Sequence, residues 1–97
     1  MRSDPNSILL EGIIPAPPEV TDNLNGVSIV TFTLKTTRYT GTLKETNHFE
    51  VDAEFSTVAK FNPPLVKGDR LRIVGRLSFR GIPIVFADHI ERSPSCR

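Results

Sequence analysis

The sequence is poor in residues that often carry structure or chemistry: it has no tryptophan, one tyrosine and one cysteine. Because a lone thiol cannot form an internal disulfide, we expect Cys96 to be an exposed side chain near the end of the chain. No apolar run in the 97 residues is long enough for a helix that spans a bilayer. Residues 1–5 also lack the apolar segment of a secretory signal. The sequence therefore predicts an intracellular, cytoplasmic protein without a membrane partner.

An excess of charge of one sign is lacking too. The chain has 12 lysines and arginines against 11 aspartates and glutamates, and its formal net charge is +1. Proteins that bind phosphate backbones usually show a basic excess, so this balance neither indicates nor excludes a nucleic-acid partner. The charges are patterned along two predicted strands, as an arginine row and an acidic row. The arginine row is Arg70, Arg72 and Arg76, and the acidic row is Glu50, Asp52 and Glu54.

Signals for catalysis are missing as well. His48 and His89 are far apart in the sequence, and the chain has neither a glycine-rich phosphate loop nor Cys and His residues at metal-ligand spacing. The acidic row could in principle bind a divalent ion through oxygen atoms, but alternating carboxylates on a strand are far more often a solvated face. We therefore expect no enzymatic activity, no cofactor, no metal site and no small-molecule substrate.

The apolar pattern that is present predicts an all-β protein of five strands. A proline-rich run at residues 15–18 ends the first strand, and the polar stretch RYTGTLKE at 38–45 is expected to be an exposed loop. Residues 56–61 are expected to form one or two helical turns between the third and fourth strands. The predicted strands cover residues 8–14, 27–37, 48–55, 70–79 and 82–90.

Two features of the second half are typical of a small closed barrel. The Lys67-Gly68-Asp69 turn leads into a strand whose apolar side is interrupted by Gly75. A residue without Cβ tolerates the strong coiling that a strand needs at a barrel corner. The sequence therefore predicts that the strands close on themselves.

The order of several short motifs resembles the bacterial single-stranded DNA-binding protein family, whose members have the OB-fold. The resemblance implies a five-stranded OB-fold barrel over residues 6–92, with a short helical segment between strands three and four and with tails at 1–5 and 93–97. It rests on NSILLEG at 6–12, GVSIVTFTL at 26–34, Glu45, Thr46, Phe49, Phe55, Ala59, LVKGD at 65–69, VGRL at 74–77 and FADHI at 86–90.

The resemblance implies binding of single-stranded DNA in replication, recombination or repair, by a homo-oligomer (dimer or tetramer) associated with the bacterial nucleoid. The chain departs from the family in its short connection at residues 79–82 and in having no long linker with an acidic tip. These departures suggest either a shortened chain or a minimal relative such as the primosomal replication protein N. An OB-fold protein-interaction module that does not bind nucleic acid is the alternative, because the net charge is near zero and tryptophan is absent.

Candidate binding residues are aromatic side chains, on which bases can stack, and cations, which can contact phosphates. Phe49 and Phe55 fall where the family carries stacking aromatics, but their alternation with the acidic row equally favours a place in the core. The arginine row either contacts phosphates or neutralises the acidic row. The full set of candidates is Lys35, Arg38, Tyr39, Lys44, Phe49, Phe55, Arg72, Arg76, Phe79 and Arg80.

Overall fold

A computed structural model describes residues 6–22, 26–79 and 81–93 as six strands and one short helix. The tails beyond these residues, the turn residues 23–25, the candidate Arg80 and Cys96 lie outside the described residues. In the described ranges, no helix is long and apolar enough to cross a membrane. The elements are β1 (Ile8–Ile13), β2 (Glu19–Asp22), β3 (Ser28–Thr40), β4 (Leu43–Glu54), α1 (Phe55–Ala59), β5 (Arg70–Phe79) and β6 (Pro83–Arg92).

Five of the strands close a barrel in the order β1, β5, β6, β4 and β3, and the ring is completed where Ile13 of β1 lies opposite Lys35 of β3. β4 and β6 are parallel, and the other neighbours are antiparallel. The predicted five-stranded barrel, with its helical segment between the third and fourth barrel strands, is confirmed. β2 was not predicted. It follows in sequence the proline run that ends β1, and it pairs with the first half of β3.

The barrel interior is filled by aliphatic side chains that alternate along the strands, as the period-two pattern requires. Phe32 is the one aromatic residue among the buried side chains of the described residues, and no charged or polar residue there is buried. Leu65, in the connection after α1, is also buried against this core. The buried residues are Ile14, Val30, Phe32, Leu34, Val51, Ala53, Leu65, Leu71, Ile73, Val85, Ala87 and Ile90.

Two glycines lie where neighbouring backbones approach closely. A Cβ atom on Gly75 would lie 2.3 Å from the carbonyl oxygen of Phe86, next to a register shift between Val74 and Gly75. A Cβ atom on Gly12 would lie 2.3 Å from the carbonyl oxygen of Lys35, beside the pair that closes the barrel. The predicted corner at Gly75 is thus confirmed, and Gly12 is a second close approach that the sequence analysis did not identify.

The connection between α1 and β5 is tied to the end of the barrel through Arg92. Its guanidinium lies 5.2 Å from the centre of the Phe61 ring and donates to the carbonyl oxygen of Pro63. Its Nε atom lies 3.5 Å from Oδ2 of Asp69, close enough for an ion pair but without the alignment of a hydrogen bond. The same Asp69 oxygen accepts a bond of 2.9 Å from the Val66 amide, which holds the predicted turn around Gly68.

The predicted loop at residues 38–45 is wrong, because β3 and β4 continue through it as an antiparallel ribbon as far as the pair Thr40 and Leu43. Gly41, with φ of 62°, supplies the positive φ of the connecting turn. Threonine and tyrosine favour extended backbone, and Arg38 pairs across the strands with Glu45 at 3.1 Å. We call residues 35–48 the ribbon; from Thr37 to His48 every side chain is exposed.

Candidate nucleic-acid interface

The ribbon presents two sides of different character. One side continues the core-facing side of the barrel, and its charges on Arg38 and Glu45 neutralise each other. The other, which we call the outer side, continues the solvent-facing side of β3 and β4. Its residues form three directly opposed pairs: Tyr39 with Lys44, Thr37 with Thr46, and Lys35 with His48.

Tyr39 and Lys44 form the outermost pair of this side. The Tyr39 side chain is 70% exposed, so its ring is open to a planar partner. In the described residues, neither Lys35 nor Lys44 forms an ion pair. An exposed ring flanked by uncompensated ammonium groups is the combination that holds single-stranded nucleic acid, because each nucleotide brings a π-face and a phosphate charge.

Closer to the barrel, the outer side becomes acidic. The Thr33 hydroxyl donates to Oε1 of Glu50 at 3.3 Å, and the Thr31 hydroxyl donates to Oδ1 of Asp52 at 3.1 Å. Glu54 follows opposite Ile29, so the whole acidic row lies on this side. Pro15, Ala16 and Pro17 border a groove beside Thr31, Thr33, His48 and Glu50.

Two of the three residues of the arginine row, Arg72 and Arg76, have carboxylate partners, and neither partner belongs to the acidic row. Arg76 donates two hydrogen bonds to Asp88, at 3.2 Å from Nε and 3.0 Å from a terminal nitrogen, and its guanidinium lies 5.4 Å from the centre of the Phe86 ring. Arg72 lies 3.8 Å from Glu11 of β1. Both arginines are exposed, as expected, but their charges are partly compensated by neighbouring strands.

The candidate phenylalanines lie in three different environments. Phe49 lies on the same side of β4 as the buried Val51 and packs, partly buried, against the core, one of the two alternatives that the sequence left open. Phe55 begins α1, which follows the end of β4 farthest from the tip of the ribbon, and it lines an apolar groove with Val20 and other residues. Phe79, 72% exposed, ends β5.

Strand pairing decides which candidates can act together. Glu50 of β4 lies opposite Ile84 near the start of the parallel strand β6, and Phe79 at the end of β5 lies opposite Pro83, so both lie at the end of the barrel from which the ribbon projects. Phe79 and the ribbon therefore share one end of the barrel, and Phe55 lies at the other.

His48 is an outer-side residue that was not among the binding candidates from the sequence. It has the same parity along β4 as Glu50 and Asp52, and it lies opposite Lys35. The alternation of β4 carried this signal, because it puts residue 48 with the acidic row and residue 49 with Val51 and the core. Across residues 6–22, 26–79 and 81–93, no group of three or more His, Cys, Asp and Glu side chains could hold a metal ion.

A barrel of this strand order with a helix between its third and fourth strands is an OB-fold. The small single-stranded DNA-binding protein of Streptomyces coelicolor is 26% identical in sequence, with a TM-score of 0.80 over 94% of this chain and 96% of that one. The dimeric N-terminal domain of PriB from Thermoanaerobacter tencongensis is 25% identical, with a TM-score of 0.79 over 93% of this chain and 98% of that one.

A third structure, the Plasmodium falciparum SSB in complex with single-stranded DNA, has a TM-score of 0.80 over 97% of this chain and 99% of that one, but its 17% identity supports the fold alone. No protein-family model and no curated protein sequence matches the chain. The structural neighbours are thus OB-fold single-stranded DNA-binding and PriB proteins, and the resemblance found in the sequence is confirmed.

Proposed function

We propose that this chain is a non-catalytic protein that binds single-stranded DNA through the outer side of the ribbon, in bacterial replication, recombination or repair at the nucleoid. The observation that carries the proposal is the pair of Tyr39 and Lys44, an exposed ring beside an uncompensated cation. Lys35 and His48 continue the same side toward the barrel. The name of the Streptomyces coelicolor neighbour supports single-stranded DNA as the ligand.

We propose that Tyr39 stacks on a base and that Lys35 and Lys44 contact phosphates, while Phe79 is a further candidate at the same end of the barrel. Arg80, outside the described residues, stays a candidate from the sequence. Arg38, Arg72 and Arg76 could contact phosphate only by sharing their charge with Glu45, Glu11 and Asp88. Duplex DNA should bind much more weakly, because paired bases cannot stack on a side chain.

Replacing Tyr39 by alanine is expected to weaken binding to a polypyrimidine strand by about 1 to 3 kcal/mol, the contribution of one stacked base. Fluorescence anisotropy of a labelled strand measures this loss. Leu43→Ala is the matched control, because Leu43 is also 70% exposed on the ribbon but lies on its other side. Affinity should also fall with added salt as counterions are released. Lys44→Gln should lower the slope of affinity against salt concentration by the amount expected for about one lost phosphate contact.

Equal loss in Tyr39→Ala and Leu43→Ala would rule out the outer side as the binding surface. No binding of the parent at low salt would instead favour the protein-interaction module.

We further propose that the chain is a homo-oligomer, at least a dimer, associated through β1. β1 and β3 are paired only at Ile13 and Lys35, so within the described residues the edge of β1 from Ile8 to Glu11 is paired with a strand on one side only, β5. Leu9 and Val74, opposite each other on the surface of this strand pair, are 54% and 37% exposed. An apolar strand edge of this kind favours pairing with a second copy.

Sedimentation equilibrium at micromolar concentration is expected to give a dimer or a larger assembly. Leu9→Lys should shift the distribution toward the monomer, since it introduces a charge at the proposed contact. A monomeric parent protein would contradict the assignment of β1 as an interface.

A further inference from the structure

On the outer side of β3 and β4, the charge changes from positive to negative between one cross-strand pair and the next. Lys35 and His48 form the last pair of the ribbon, and the next pair on the same side is Thr33 and Glu50. Successive pairs on one side of a sheet are two residues apart, which is roughly 7 Å. A strand of DNA that follows the ribbon from Tyr39 therefore reaches a carboxylate directly after its last cationic contact.

No cationic side chain of the described residues pairs with the acidic row. Its two hydrogen-bonded members, Glu50 and Asp52, accept bonds from neutral threonine hydroxyl groups, and no member forms an ion pair within the described residues. Arg76 borders the same surface depression as Asp52, but both of its hydrogen bonds go to Asp88. The arginine that borders this depression is thus already hydrogen-bonded to another carboxylate.

We propose that Glu50 and Asp52 end the DNA track at the base of the ribbon and so restrict the bound segment to a few nucleotides. The inference deepens the proposed function and rests on it. OB-folds cover roughly 4 to 16 nucleotides, and this arrangement sets the chain at the short end of that range. A phosphate that moves past His48 meets like charge, and the groove beside the proline run stays free of DNA.

The double variant Glu50→Gln/Asp52→Asn tests the proposal without disturbing the fold. The amide side chains have nearly the same shape and keep a carbonyl oxygen that can accept the threonine bonds. Binding is measured by anisotropy at near-physiological ionic strength, where the screening length of about 8 Å confines the effect of the two carboxylates to nearby phosphates. The thymidine strands have roughly 4 and 12 nucleotides and bracket much of the OB-fold range.

Relative to the parent, the variant should bind the longer strand about fivefold more tightly, as expected for removal of two exposed like charges. Its affinity for the shorter strand should stay within about twofold, because that strand ends on the ribbon. The control Glu91→Gln removes one exposed carboxylate from the β5 and β6 surface, away from the ribbon. It should not raise affinity for the longer strand selectively.

An equal gain for both strands, or the same selective gain in the control, would overturn the inference and leave the proposed function intact. A variant that binds the longer strand when the parent binds neither would reject both proposals, because the carboxylates would then prevent binding rather than limit its length. If neither protein binds, both proposals fail.

Discussion

Gly12→Ala is expected to lower the free energy of unfolding by about 3 kcal/mol, at the upper end of the usual range for an overpacked site. The new Cβ atom would lie 2.3 Å from the carbonyl oxygen of Lys35 and 3.0 Å from its carbonyl carbon. Both are backbone atoms, so the clash cannot be relieved by a side-chain rotation. β1 and β3 must separate next to the pair of Ile13 and Lys35, which closes the barrel.

Urea unfolding monitored by circular dichroism measures this loss. Gly75→Ala should lower the free energy of unfolding by a similar amount, because its Cβ would lie 2.3 Å from the Phe86 carbonyl oxygen. Gly41→Asn is the control: nothing lies within 4 Å of a Cβ there, and asparagine tolerates the φ of 62°. We expect it to cost no more than about 1 kcal/mol. A Gly12→Ala protein as stable as the parent would show that the strands are not held at this distance.

Much of the barrel could be predicted because its strands have one buried side. Alternation along residues 70–79 predicted β5 with the bounds that the structure shows, and the glycine in that alternation marked the corner at Gly75. Gly12 lies on a strand whose apolar residues occupy both odd and even positions. The local sequence pattern therefore does not distinguish a barrel corner at Gly12 from an ordinary strand position. Its role depends on the backbone of Lys35, which is distant in sequence.

The ribbon was missed for a related reason. Its side chains are exposed on both sides, so neither side carries the apolar alternation by which a strand is recognised. Gly41 was interpreted as a sign of a loop, whereas it forms the turn between two strands that continue past it. β2 is only four residues long and follows a proline run, and its pairing with β3 is visible only in three dimensions.

For the candidate site, the sequence predicted the types of residue involved. It predicted only in part which side of its strand each of these residues occupies. Tyr39 was expected to be exposed because its neighbours are polar, and it is. Phe49 was assigned by resemblance to a stacking position, while the alternation of β4 favoured the core. In the structure the Phe49 ring packs, partly buried, against the core.

Phe49→Ala is accordingly expected to act on stability rather than on DNA binding. The ring packs against the core beside Leu34, its direct partner across β3 and β4, and truncation leaves a cavity. The free energy of unfolding should fall by about 3 kcal/mol, the lower end for phenylalanine because the side chain is only partly buried. For a domain of this size, the melting temperature should fall by roughly 10 to 20 °C.

Phe79→Ala removes the same ring from a position that is 72% exposed, so its melting temperature should stay close to that of the parent. Thermal unfolding and anisotropy titrations, the latter well below the melting temperature of each variant, separate the two roles of Phe49. The folded Phe49→Ala protein should bind a polypyrimidine strand as tightly as the parent, because the outer side of the ribbon is unchanged. A variant that melts like the parent but binds tenfold more weakly would instead place the Phe49 ring on the DNA, and the outer side would then not be the binding surface.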